Sequence, residues 1–315
     1  MHRGKFNPRS PWHCSVLLFV LSAFYCGSAE LAARYAFPRV SRVRGRIEAE
    51  RNAARKLARA GDRPAVLFVG NSLFERGIDV PQLRQDLPNY NVARFVVSDT
   101  SYFDWYYGLQ RLFSEGSRPQ IVVVGLSTRN LVLQRIEGDL SANLLIRTAD
   151  VNRVGDRLRK DNTAVSNLYF SNLSAFYGDR TQFRKWLLTT IMPDVESLGS
   201  SFRPKPVPDL APPQLLEVAQ QRLQAMQKVC ADNGATLVLV IPPTLNREED
   251  AIAAVQEAGK RAGVPVLSPI HPGELGPEYF RDGVHLTDAG AVRFTSSLSS
   301  DLLHSLPDSF RASLY

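Results

Sequence analysis

Five short, mainly apolar runs punctuate the chain: Ala65–Val69, Val92–Val97, Ile121–Val124, Thr236–Ile241 and Val264–Leu267. Each is bounded by turn residues or polar segments, which predicts strands buried on both faces. Stretches with helical periodicity lie between most of them. These are Phe103–Phe113, Gln214–Asn233, Glu248–Ala262 and, closing the pattern, Thr287–Leu303. In the second, Leu215, Leu216, Val218, Leu223 and Met226 form one apolar face. Strands alternating with helices predict βαβ units and a parallel sheet covered on both sides. Sites in such sheets lie beyond the carboxyl ends of the strands.

Leu131–Pro213 breaks this rhythm. It carries helical stretches, an aromatic group (Tyr169, Phe170, Phe176, Tyr177, Phe183, Trp186) and a proline-rich exit, Pro204–Pro213. It reads as an insertion after the third strand, at about 131–213. It serves either as a lid or binding surface over a strand-end site, or as a helical cluster that merely packs.

The one long apolar run is N-terminal. Ser10–Ala29 has no formal charge, and its centre is Val16-Leu17-Leu18-Phe19-Val20-Leu21. Twenty residues at about 1.5 Å each span the roughly 30 Å hydrocarbon core of a bilayer. Arg3, Lys5 and Arg9 precede the run, which favours an N-terminus held inside. The competing reading is a cleaved signal peptide with Gly27-Ser28-Ala29 at the cleavage site. Either reading exports the rest of the chain. Residues 1–30 are thus an anchor or signal, 31–62 a basic helical stalk, and 63–315 an α/β domain.

Charge supports this division. Residues 1–60 carry 12 Lys/Arg against 3 Asp/Glu, a net +9, whereas the other 255 carry 26 against 28, a net −2. The basicity belongs to the arm beside the apolar run, where anionic lipid attracts it. A nucleic-acid binder would carry a basic patch on its folded domain together with a reading motif. The 3 cysteines in 315 residues exclude a disulfide scaffold.

Two short motifs could carry chemistry. The first strand runs into Gly70-Asn71-Ser72-Leu73, so Ser72 sits just past a buried strand. There it is a nucleophile, a turn residue or a helix cap. If a helix starts close by, the Ser72 N–H could also stabilise an oxyanion. Near the C-terminus, Asp282-Gly283-Val284-His285-Leu286-Thr287 puts an acid and an imidazole three apart on one loop. The carboxylate can bind Nδ1–H and leave Nε2 free to take a proton. His2, His13, His271 and His304 fit that role worse: two lie at the apolar run, one ends the last helix, and His271 has no adjacent acid. Closely spaced His/Cys clusters of the kind zinc needs are missing, as is a phosphate-binding glycine loop.

A strand-end G-N-S-L, the five-strand α/β rhythm and a late D-G-V-H-L-T together resemble the SGNH (GDSL-like) hydrolase superfamily, over roughly Ala65 to Leu303. The resemblance implies a three-layer α/β/α, flavodoxin-like fold around a five-stranded parallel sheet. It further implies Ser72 as nucleophile, His285 as general base and then acid, and Asp282 as its orienting carboxylate. Two departures stand out. The family's second block offers a glycine N–H to the oxyanion, whereas Ser98-Asp99-Thr100-Ser101-Tyr102 has no glycine. The third block is normally G-x-N-D. Here Gly125-Leu126-Ser127-Thr128-Arg129-Asn130 leaves Ser127 or Asn130 as the substitute donor. Losing one oxyanion donor can cost about 10²–10³ in rate.

The departures, the apolar run and the insertion make the chain similar to one branch, the membrane-tethered proteins of the DltD and alginate-acetylation type. These work beside membrane-bound O-acyltransferases. That likeness implies acyl transfer to a cell-envelope or exported polysaccharide by a domain on the extracytoplasmic side of the cytoplasmic membrane. A membrane-bound O-acyltransferase would be the partner, and neither cofactor nor metal is implied. An esterase using the same chemistry, or a catalytically idle fold that scaffolds a membrane complex, are the alternatives.

Overall fold

The computed structural model describes residues 11–57, 63–136, 138–192, 210–246 and 248–306. Arg3, Lys5, Arg9 and most of the proline-rich exit lie outside the described residues. The five strands are β1 (Ala65–Gly70), β2 (Asn91–Val96), β3 (Ile121–Gly125), β4 (Thr236–Val240) and β5 (Val266–Leu267). All pair in parallel, in the spatial order β2-β1-β3-β4-β5. This is the flavodoxin-like doubly wound order, whose switch point lies between β1 and β3.

The strands form where the apolar runs predict, because every residue of β1 and β3 is buried. Alternate positions serve opposite layers. Leu67, Val69, Val122, Val124, Leu237 and Leu239 face one core. It is shared with α6 (Tyr102–Ser114), α12 (Pro212–Asp232) and α13 (Glu249–Ala262). Val66, Phe68, Val123, Val238 and Val240 face the other. That one is closed by α4 (Ser72–Gly77), α5 (Val80–Asp86) and α14 (Asp288–Ser305). The result is the three-layer α/β/α sandwich.

The N-terminal helix α1 (Pro11–Leu31) runs through a π-helical turn, Ala32–Ala36, into α2 (Phe37–Val40). By length and composition Trp12–Val40 can cross a membrane, and only 6% of its most apolar window is buried. The chain then turns at Ser41, whose side chain caps α3 (Arg42–Lys56).

The sequence reads this basic segment as an exposed stalk, but α3 is built into the domain. Ile47 and Ala54 are buried and join the first core. Glu50 pairs with Arg94 at 2.7 Å and accepts the Val96 N–H at 3.0 Å, so it satisfies the outer edge of β2. Only two apolar side chains of this helix are needed for docking; ion pairs and capping of backbone groups supply the rest. A hydrophobic pattern does not reveal that kind of attachment.

Between β3 and β4 lie α7 (Thr128–Val132), α8 (Gly138–Leu145), a 3-10 turn at Thr148–Asp150, α9 (Val151–Arg157), α10 (Asn162–Leu173) and α11 (Ala175–Ile191). α8 buries Leu140, Leu144 and Leu145 in the first core. α11 clasps the N-terminal segment. Glu30 accepts the N–H groups of Ala175 and Phe176, and Phe37 packs edge-on against Phe183 and Trp186 at 5.6 and 6.0 Å. Arg44 and Asp179, 7% and 1% exposed, form a buried ion pair at 2.9 Å.

Candidate active site

Ser72 is the first residue of α4, directly beyond β1. Asn71 makes that turn. Its Oδ1 accepts the Leu73 N–H at 3.0 Å and so caps α4, while its Nδ2 donates to the Thr100 carbonyl at 3.1 Å. One buried side chain thereby fixes the start of the helix and ties it to the loop after β2. Position 125 fixes α4 from the other side. The Phe74 ring lies against Gly125 so closely that a Cβ there would sit 2.1 Å from ring carbon Cε1. Only glycine permits that approach.

The second motif arrives from the opposite end of the chain. Phe280 and Leu286 form an antiparallel bridge, the Arg281 N–H donates to the His285 carbonyl at 2.8 Å, and Thr287 caps α14. Gly283, at φ +85°, takes the left-handed conformation at the tip of this loop. Asp282 Oδ1 accepts the backbone N–H groups of His285 at 2.8 Å and Val284 at 3.2 Å. Its Oδ2 lies 2.8 Å from His285 Nδ1. Ser72 Oγ lies 3.0 Å from His285 Nε2, across 213 residues of chain.

With Asp282 accepting from Nδ1–H, Nε2 is the nitrogen that accepts the Ser72 proton. Partial burial works to raise the Asp282 carboxyl. The hydrogen bonds from the His285 ring, the His285 N–H and the Val284 N–H outweigh it and hold the group at about 2. Asp282 is therefore ionised at any pH near neutrality.

Ser127 and Asn130 line the same cleft of about 540 Å³ as Ser72 and His285. Ser127 is the N-cap of α7, and its Oγ accepts the Asn130 N–H at 3.2 Å. A second cleft of about 920 Å³ reaches Ser72 and His285 from the side of α2, α3 and α11. It is lined by Thr181, Gln182, Lys185 and Trp186 of the insertion, so that segment both packs and forms part of the site. Among the described residues no group of His, Cys, Asp and Glu could hold a metal ion.

Sequence reasoning missed two residues. Asn71 was legible in principle, since an Asn between a buried strand and a helix is an N-cap signal. Asp99 has φ +63°. It holds the left-handed turn after β2 that a glycine would adopt without strain, and it lines both clefts.

No protein-family model matches the sequence, and no curated protein does. Solved structures similar to the chain include an acylhydrolase from Bacteroides fragilis, at 11% identity and TM-score 0.43, covering 82% of this chain and 97% of that one. A GDSL-like lipase from Bacteroides thetaiotaomicron aligns at 13% identity and TM-score 0.39, over 83% and 98% of the two chains. An acetyl xylan esterase from Geobacillus stearothermophilus aligns at 12% and 0.36, over 78% and 96%. At such identities and TM-scores these likenesses carry no weight, and the chemistry below rests on the geometry of Ser72, His285 and Asp282.

Proposed function

We propose that the protein is a serine-dependent acyl-transfer enzyme of SGNH type. The single observation that carries this reading is the chain of contacts from Asp282 Oδ2 to His285 Nδ1 and from His285 Nε2 to Ser72 Oγ, at 2.8 and 3.0 Å. These are the distances a general base and its nucleophile require. His285 takes the Ser72 proton as Oγ adds to the carbonyl of an acyl donor. The imidazolium, held by Asp282, returns that proton to the leaving group, and the acyl group stays on Ser72. A hydroxyl then attacks the acyl-enzyme with His285 again as base, and Ser72 is released. The unpaired N–H at the start of α4 and the groups of Ser127 and Asn130 are the donors proposed for the oxyanion.

The acceptor is proposed to be a hydroxyl of a cell-envelope or exported polysaccharide; water in its place gives an esterase by the same steps. Trp12–Val40 would hold the domain at the extracytoplasmic face of the cytoplasmic membrane as a single-pass anchor. A membrane-bound O-acyltransferase is the proposed partner that supplies the acyl group.

The test uses the full chain in detergent, because cutting before Arg63 would strip Ile47, Ala54 and Leu57 from the core. Wild type and Ser72→Ala are incubated with p-nitrophenyl acetate and read by intact mass. An acetyl adduct in wild type that disappears in Ser72→Ala is expected. Folded wild type that never labels would refute the reading and leave a scaffold.

A further inference from the structure

We infer that Asp99 is the acceptor-binding residue, and that it holds two neighbouring hydroxyls of a sugar beside the acylated Ser72. This rests on the acyl-transfer reading above and says which group selects the acceptor. Three observations converge on this residue.

The first is position. The clefts of about 540 and about 920 Å³ share three residues, Ser72, His285 and Asp99. Two of them are the proposed nucleophile and its base, so Asp99 is the one other residue that lines both approaches to them. The smaller cleft sets Leu73, Val132, Leu133 and Leu215 among polar residues such as Arg129, Arg135 and Glu248, and those apolar side chains suit an acyl group. The larger one is lined by Thr181, Gln182, Lys185, Arg76 and Trp186 together with Val40, Val43 and Ile47, and its hydrogen-bonding groups and aromatic ring suit a sugar.

The second is conformation. Among the described residues only Asp99 and Arg159 have positive φ without being glycine. Aspartate and asparagine are the side-chain-bearing residues that reach this region most readily, at a modest cost that glycine does not carry. Glycine would take the same turn at no such cost, so the side chain itself is what the position gains.

The third is the state of that side chain. Asp99 is exposed, and its carboxylate makes no hydrogen bond or ion pair with any described residue. Its neighbour Thr100 is buried and locked, bonded through its carbonyl to Asn71 and through its hydroxyl to Trp105 and Val97. The backbone is fixed and the carboxylate is free. A negative charge opposes an oxyanion instead of stabilising it, so it does nothing for hydrolysis. What it does well is accept hydrogen bonds from two hydroxyls at once, one on each oxygen. With two hydroxyls held in this way, the oxygen of a third, neighbouring hydroxyl, whose proton is not engaged by Asp99, adds to the acyl carbonyl as that proton passes to His285 Nε2. The Ser72 Oγ–acyl bond then breaks, and Oγ recovers that proton.

The test measures partition of the acyl-enzyme, so it does not depend on how fast that species forms or on the natural polymer. Full-length protein in detergent is given p-nitrophenyl acetate with glycerol, methyl glucopyranoside or methanol at equal hydroxyl concentration. Acetylated acceptor is measured against free acetate. Wild type is expected to favour both vicinal diols over methanol by about tenfold or more, the scale of a charge-assisted hydrogen bond. Asp99→Asn, which tolerates the same backbone, and Asp99→Gly are expected to lose that preference, while Asp99→Gly raises the thermal midpoint. Wild type without a diol preference, or Asp99→Asn retaining it, overturns the assignment. So does a lower midpoint in Asp99→Gly with the preference intact, which would mark a purely structural residue. Wild type that forms no acyl-enzyme at all overturns the enzymatic reading as well, and is distinguished from these by the mass of the protein.

Discussion

The placement of Ser72 rests on one atom that is missing. A methyl group added at Gly125 would lie 2.1, 2.2 and 2.3 Å from Cε1, Cδ1 and Cζ of Phe74. Carbon atoms in contact sit roughly 3.5–4.0 Å apart, so Gly125→Ala demands a displacement well over 1 Å. The ring cannot swing aside, because Phe74 is fully buried and faces Phe294 at 6.4 Å between centroids. The strand cannot yield either, being paired on both sides with β1 and β4. The displacement therefore falls on α4, whose first residue is Ser72. Overpacking of this kind costs about 1–3 kcal/mol, and a catalytic group shifted by about 1 Å loses on the order of 10² in rate. Gly125→Ala is expected to lose about 2 kcal/mol in denaturant unfolding and roughly 10–100-fold in acylation by p-nitrophenyl acetate. Phe74→Leu removes most of the clashing atoms. The double variant should then recover about 1 kcal/mol relative to the sum of the single changes, within the range of couplings between touching residues. Gly125→Ala with wild-type stability and acylation, or strictly additive costs in the double variant, would show that this contact does not position the nucleophile.

Asp282→Asn should keep the fold and lower acylation by about 10³–10⁴, since the amide no longer selects the tautomer that leaves Nε2 free. The Asp282 carboxyl is held down at about 2, below the ordinary carboxylate value, so it stabilises the fold above the unfolded-state pKa and loses that contribution as pH falls toward 2. The gap in urea midpoint between wild type and Asp282→Asn should be constant from pH 7 to about 5 and shrink below pH 4; a gap that opened on acidification would contradict the sign. Arg44→Met strands the buried Asp179 carboxylate and should cost about 3–5 kcal/mol in denaturant unfolding, whereas the paired change Arg44→Met with Asp179→Leu should cost much less. Burial pushes the Cys230 thiol up to about 12. In the folded protein it should stay unlabelled by a thiol reagent that modifies it fully in denaturant.

Much of the site was legible because its parts obey local rules. Buried strands declare themselves as short apolar runs, and their alternation with helices dictates a parallel sheet. The D-x-x-H spacing lets one loop orient its own imidazole. What the sequence hid depends on long-range geometry. The meeting of Ser72 and His285 requires the order β2-β1-β3-β4-β5, which puts β1 at the switch point and α14 alongside α4. The docking of α3 was hidden because a buried arginine, one carboxylate and two apolar contacts leave no periodic trace. The loop after β2 carries no glycine letter, yet what it needs is a left-handed conformation, and Asp99 supplies it at φ +63°. A glycine there would offer a bare N–H and nothing to hold an acceptor. An aspartate keeps the turn and adds an exposed carboxylate at the mouth of both clefts. On the acyl-transfer reading proposed above, that carboxylate is the group available to a hydroxyl-bearing acceptor.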